Sequence, residues 1–230
     1  HHDAALLEAT TIILLSHNRL DDIEINLPKY LDIVREYGAE LIVVDNASTD
    51  GSREYLERVV GTYQYLKVIL NSENLGVAGG RNSASEFASR KYRLMIDDDT
   101  IISKSDIVKM LEYIDTNHEI GALSPKIVHA KTGSDQNNHG SQVVHVSNFH
   151  GACHLLRSEA CKKVGRIDHL CSFGGEELDL SIRLRSEGYQ VVFYPYSTAY
   201  HNSIIRPGIE GLRIRRLRVF NFTRLHFKHF

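Results

Sequence analysis

The chain has 230 residues, 42% of them apolar and 24% charged, and a formal net charge of −2. Those proportions describe a soluble globular chain of one large or two small domains and exclude a disordered or fibrous one. The apolar runs IILL (12–15) and LIVV (41–44) are far shorter than the roughly 18 residues that a membrane-spanning helix needs.

TTIILL (10–15) reads as a buried strand that runs into the polar turn SHNR. Ile23, Leu27, Leu31 and Val34 have helical spacing and predict a helix over 21–37, stopped by Gly38. LIVVDN (41–46) is a second strand, and Thr49 and Asp50 are placed to cap a helix over 52–60. YLKVIL (65–70) is a third strand, and the glycine segment NLGVAGG (74–80) reads as a loop leading into a helix that ends near Arg90. YRLMI (92–96) is a fourth strand, with a helix over 105–116 beyond it. This alternation, with strands apolar throughout, predicts a parallel sheet covered on both faces.

The second half is less regular. IGALSPKIVH (120–129) and GACHLLR (151–157) read as strands, separated by a polar loop or hairpin over 130–148. A helix is expected near 158–164, an amphipathic helix over 174–188, and a strand at QVVFYP (190–195). No repeat or linker divides the chain, so one domain is expected over 3–205, followed by a basic tail over 206–230. His1 and His2 read as the remnant of a purification tag, and no secretory signal is visible. Cys153, Cys161 and Cys171 are odd in number and lack CxxC spacing. Free thiols in the cytoplasm are the expectation.

Asp97, Asp98 and Asp99 follow directly on the fourth strand. Adjacent carboxylates at the end of a core strand are costly unless a positive partner meets them. They could be solvated turn residues, or hard oxygen ligands for a divalent metal. The phosphatase pattern DxDxT fits poorly, because Ile101 stands where its threonine would be. Ligands on parallel sheets bind beyond the carboxyl ends of the strands. Ser16, Asp45, Asn46 and the three aspartates all lie at such ends, so the fold would bring them together. Asp45 could accept a hydrogen bond from a base or ribose. The segment holding Asn74 and Gly79 offers backbone near phosphates, and Arg81 offers charge.

In order, VVDNASTDGS (43–52), ENLGVAGGRN (73–82), MIDDD (95–99), GGEELDLSIRLRSEGY (174–189) and AYH (199–201) resemble the family 2 glycosyltransferases over residues 10–202. The resemblance implies a GT-A fold: an α/β, Rossmann-like, mostly parallel sheet with helices on both faces. It also implies a nucleoside-diphosphate sugar as donor, UDP- or dTDP-linked, and a divalent metal, Mn²⁺ or Mg²⁺. Ser16, His17, Arg19, Asp45 and Arg81 would line the nucleotide pocket. Asp97 and Asp99 would be the outer acids of a DxD motif, with Asp98 between them in the nucleotide site and Asp99 on the metal. His201 falls where relatives place a metal-binding histidine. The catalytic base falls on Glu177, where the pattern usually has aspartate, so its neighbour Glu176 is an alternative base. The reaction implied is inverting transfer of a sugar to a hydroxyl of a glycan or lipid-linked saccharide.

His139, His145, His150 and His154 have no carboxylate at ligand spacing, and the resemblance directs their segment toward the acceptor. The tail over 206–230 holds seven Lys/Arg and one acid, interleaved with apolar residues. It predicts either a helix packed on the domain or peripheral contact with the inner face of a membrane. No nucleic-acid motif accompanies it. Two rivals remain open. One is a degenerate relative that binds nucleotide or glycan without turnover. The other is a sugar-nucleotide nucleotidyltransferase, for which SHNRLDD lacks the expected glycine- and arginine-rich loop.

Overall fold

All seven residues of β1 (Thr10–Ser16) are buried, as a strand covered on both faces requires. Its neighbours are parallel to it: β2 (Glu40–Asp45) on one side and β4 (Tyr92–Asp97) on the other, with β3 (Leu66–Leu70) beyond β2. The computed structural model describes residues 2–171, 173–203 and 208–229, apart from the side chains of 208–210. Arg206 and the expected domain boundary at 205/206 lie outside the described residues, as does the Glu210 side chain.

Three crossovers join the parallel strands: α2 (Leu20–Tyr37), α3 (Ser52–Val59) and α4 (Gly76–Ser85). Gly38 closes α2 in the left-handed conformation and donates its N–H to Val34 O, as expected. α3 is entered through Gly51, and Asp50 accepts from the Ser52 N–H (3.1 Å) and hydroxyl (2.6 Å). A first helix, α1 (His2–Glu8), escaped the sequence reading; it buries Leu6 and Leu7.

The glycine segment is helical from Gly76, not a loop, and its helix ends at Ser85, short of Arg90. A Cβ on Gly80 would lie 2.4 Å from Leu15 Cδ1, and one on Gly79 2.6 Å from Leu75 Cβ. Gly80 therefore serves close approach of α4 to β1, and Gly79 leaves room for the Leu75 side chain at the start of the helix.

The sheet is mostly parallel but not wholly so. Its order is β3-β2-β1-β4-β8-β6-β9-β5. After β4 the chain crosses β5 (Thr100–Ile102) and α5 (Lys104–Thr116), and enters as β6 (Ile120–His129) two places away. The gap is filled by β8 (Cys153–Arg157), antiparallel to both neighbours. All five of its residues are buried, so its apolar pattern could not reveal its direction. After α6 (Ser158–Val164) and α7 (Glu176–Ser186) comes β9 (Gln190–His201), parallel to β6 and twice the expected length. β5 and the short β7 (Val144–His145) pair antiparallel to β9. The last helix is α8 (Gly208–His229).

Alternation along β1 divides the core. Ile12 and Leu14 pack toward α2 and α5, while Ile13 and Leu15 pack toward α4 and α7. The three cysteines are buried free thiols.

Candidate active site

The register sets Ser16 beside Asp45 and Leu15 beside Asp97, so the carboxyl ends of β1, β2 and β4 meet. The turns beyond them are laced together. Asn18, at φ 52°, donates its N–H to Ser48 Oγ (2.9 Å) and accepts from the Thr49 N–H (2.7 Å). Asn46 donates to Asn74 Oδ1 (2.9 Å) and Gly76 O (3.0 Å). Asp45 is fully buried and accepts from the Ser48 N–H at 3.2 Å.

The three aspartates have different surroundings. Asp97 accepts from Arg81 Nη2 at 2.9 Å and is the most exposed of them, at 32%. Asp98 turns inward and accepts from the His17 N–H at 3.3 Å. Burial, then Asp99 and Asp97, push its carboxyl up to about 8. Asp99 lies 3.3 Å from both Arg19 Nη2 and His201 Nε2. Burial works against its ionisation, but His201 and Arg19 outweigh it and hold the carboxyl below its ordinary value. The positive partners that the sequence demanded are therefore Arg19, Arg81 and, when protonated, His201.

Arg81, on α4, is buried and joins two motifs that lie far apart in the chain. Besides Asp97, it donates to Gly151 O (2.8 Å) and sits 3.7 Å from Glu176 Oε1. Glu176 and Glu177 open α7 behind Gly175, whose φ is 97°. Glu176 is buried, and its Oε2 has no hydrogen-bond partner among the described residues. Burial, then Glu177, pushes its carboxyl up against the pull of Arg81. Glu177 is half-buried and rests on Gly151: a Cβ there would lie 2.0 Å from Glu177 Oε1.

One ligand atom each from Asp97, Asp99 and His201 lies within 4.8 Å of the others. Two carboxylate oxygens and an imidazole nitrogen, crowded and open on the Asp97 side, suit a divalent cation of the manganese class. β9 reaches this site only because it runs on to His201, which pairs with Thr100 of β5. Its Nδ1 meets Gln136 Oε1 at 2.7 Å. Gln136 carried no signal in the sequence, being one amide in a polar stretch.

Beside the site is a cavity of about 360 Å³ bordered by Ser124, Gln136, Asn138, Asn148 and His150. His150 is pushed down to about 4, by burial first and by His201 second, so its ring is neutral. His139, also on the cavity wall, stacks edge-on to Phe193, and His154 is buried against Phe149.

α8 packs against the loop that leads to the glutamates. Asn221 donates to Gly174 O (2.8 Å), and Arg224 and Lys228 reach Asp168 (2.9 and 2.8 Å). Asp179, fully buried one turn into α7, is bonded by Arg183 (2.7 Å), Lys228 (2.7 Å) and His229 (2.8 Å).

Comparison with known proteins agrees with this layout. The family model for Glycosyl transferase family 2 matches residues 11–171. A putative teichuronic acid biosynthesis glycosyltransferase, TuaG of Bacillus subtilis, is 34% identical over 104 residues, which is 45% of this chain and 41% of that protein. The poly-β-1,6-N-acetyl-D-glucosamine synthase of Staphylococcus aureus is 24% identical over 227 residues, covering 92% of this chain and 54% of the synthase. The chain thus spans about half the length of these curated relatives. Among solved structures, the mannosyltransferase PcManGT of Pyrobaculum calidifontis, in complex with GDP-Man and Mn²⁺, superposes with a TM-score of 0.70. It is 19% identical, with 90% of this chain and 60% of that chain covered. By its family match and its sheet, the chain belongs to glycosyltransferase family 2 and has the GT-A fold.

Proposed function

We propose that the chain is an inverting, metal-dependent glycosyltransferase that moves a sugar from a nucleoside-diphosphate donor, UDP- or dTDP-linked, to a hydroxyl of a glycan or lipid-linked saccharide. The observation that carries this reading is the convergence of Asp97, Asp99 and His201 within 4.8 Å, tied through Arg81 to the Glu176–Glu177 pair. Asp97, Asp99 and His201 would hold the divalent cation. When bound, it would neutralise the donor diphosphate and stabilise it as a leaving group. Ser16, His17, Arg19, Asp45 and the Asn74–Arg81 segment, gathered at the carboxyl ends of β1, β2 and β4, would line the nucleotide site.

Glu177 is the base, because it is the more exposed of the pair and lies over Gly151, next to the cavity at His150. Its carboxylate takes the proton of the acceptor hydroxyl as that oxygen bonds to the anomeric carbon. The bond from that carbon to the diphosphate oxygen breaks with its electron pair, and the configuration inverts. Glu176 faces Arg81 and holds it against Asp97. The cavity has the size of one or two sugar rings. Its border of amides, a hydroxyl, imidazoles and the apolar Val146, Phe149 and Phe193, with no Asp, Glu, Lys or Arg among the described residues, suits an uncharged acceptor sugar.

Thermal denaturation with UDP, dTDP, GDP and CDP, each with and without Mn²⁺, tests the donor site. Ligand at 100 times its dissociation constant stabilises the fold by about 2.7 kcal/mol. One nucleotide is expected to raise the melting temperature only when Mn²⁺ is present. Asp99→Ala is expected to lose that shift and metal-dependent turnover while remaining folded. A full shift in the variant would remove Asp99 from the metal site.

The chain is also proposed to act in the cytoplasm, at the inner face of a membrane. No helix among the described residues is long and apolar enough to cross one. One side of α8 packs on the domain through Asn221 and Leu225; Val219, Phe220 and Phe227 are 64–81% exposed, alongside exposed Arg213, Arg215 and Arg216. Apolar side chains mixed with arginine suit an anionic lipid surface. The protein is expected to co-sediment with vesicles containing phosphatidylglycerol and not with pure phosphatidylcholine, and a Phe220→Asp, Phe227→Asp variant is expected to stay in solution. Equal sedimentation of the variant would refute lipid contact through α8.

A further inference from the structure

The geometry points to Gln136 as a positioning residue that sets which nitrogen of His201 faces the cation, a role that rests on the metal-site reading above. Gln136 reaches the site from the polar segment after β6, where its N–H donates to Ile127 O at 2.9 Å. Its side-chain amide spans two partners: Nε2 donates to Ser203 Oγ (3.0 Å), and Oε1 meets His201 Nδ1 (2.7 Å). An amide oxygen carries no proton, so the bond at 2.7 Å requires the proton to be on Nδ1. In a neutral ring this leaves the lone pair on Nε2. Nε2 lies 3.3 Å from Asp99 Oδ1. A lone pair facing a carboxylate oxygen is repulsive unless a proton, which makes the ring an imidazolium paired with Asp99, or a metal cation stands between them. The latter is the arrangement of a metal-bound histidine whose far nitrogen is fixed by an outer hydrogen bond.

The opposite orientation has a distinct consequence. With the amide turned over, its NH₂ would donate to Nδ1, the ring proton would move to Nε2, and His201 would close an ordinary hydrogen bond to Asp99. The ring would then be occupied by its carboxylate partner and would not offer a ligand. For the neutral ring, one amide thus decides whether Nε2 is free for a cation or closed on Asp99. The backbone of His201 is held between Thr100 and His129 by the β5–β9–β6 ladder, which fixes the point from which the ring reaches both partners. Gln136 also borders the cavity beside the site, so an occupant of that cavity would lie against the group that orients the ligand.

The test uses the full chain, as wild type, Gln136→Leu and Gln136→Glu. Mn²⁺ binding is measured by the electron paramagnetic resonance of free Mn²⁺, with and without UDP. The His201 tautomer in protein saturated with diamagnetic Mg²⁺ is read from long-range ¹H–¹⁵N correlation spectra, assigned with His201→Gln. Wild type is expected to show the Nδ1–H tautomer. Gln136→Leu is expected to bind Mn²⁺ about 10–100-fold more weakly with an unchanged melting temperature. Gln136→Glu retains an acceptor for Nδ1–H and is expected to restore affinity to within a few-fold of wild type. Unchanged Mn²⁺ affinity in Gln136→Leu, or the Nε2–H tautomer in wild type, overturns the role of Gln136 and leaves the metal site standing. Absence of Mn²⁺ binding in wild type, with and without UDP, overturns the metal-site reading and this role with it.

Discussion

Glu177→Gln is expected to lower sugar transfer by about 10²–10⁴-fold, the usual contribution of a general base, while nucleotide binding stays at the wild-type level. Glutamine keeps the shape of the side chain over Gly151 but cannot take a proton. The melting temperature is expected to hold or rise, because after burial the Glu177 charge is the largest cause that pushes the buried Glu176 carboxyl up. Steady-state transfer assays together with nucleotide titrations separate the outcomes. A loss of transfer in Glu176→Gln, with Glu177→Gln active, would move the base to Glu176. A parallel loss of donor affinity in Glu177→Gln would place Glu177 in the donor site instead.

Arg81→Met is expected to be the most damaging single change to the fold. Arg81 is 3% exposed and lies between Asp97 and Glu176. Removing one partner of a buried ion pair leaves the other charge uncompensated, at a cost of about 3–5 kcal/mol. For a chain of this size that corresponds to a fall in melting temperature on the order of 10 °C. The deficit has a pH signature. Asp97 and Glu176 already have raised carboxyls, both from burial first, and Arg81 is the group that opposes the rise. Without it both rise further, so the folded state binds more protons than the unfolded chain. Stability then falls as pH rises. Calorimetric unfolding is therefore expected to show the gap between variant and wild type closing on acidification. A gap that is independent of pH would mean that Arg81 acts by packing alone.

The parallel half of the fold was legible because each of its elements carries a local signal. β1 and β2 hold continuous apolar runs, β4 is apolar apart from Arg93, α2 has its stripe, and Gly38 marks its end. The second half was less so. β8 looks like any strand buried on both faces, and only its place between β4 and β6 makes it antiparallel. β5 is three residues long, too short for a periodicity. The glycines near residue 79 resemble a flexible loop in composition, whereas what they meet is Leu15 and Leu75. For the site, residue chemistry and strand ends brought out the aspartates and Arg81, whereas the glutamates were singled out only through the family resemblance. The ion pair of Arg81 with Asp97 spans 16 residues and Gln136 meets His201 across 65. Such links depend on tertiary placement and leave no mark in either segment.

The bonds from Lys228 and His229 to Asp179 impose an order on assembly. Asp179 lies one turn into the helix that begins with Glu176 and Glu177, yet two of its partners come 49 and 50 residues later. During synthesis the β1–β4 sheet can close while the rest of the chain is still being made. The acidic helix can dock early, but its buried carboxylate lacks two of its hydrogen-bond partners until residue 229 has left the ribosome. The β1–β4 part of the sheet can thus form before the helix that carries Glu176 and Glu177 is locked in place.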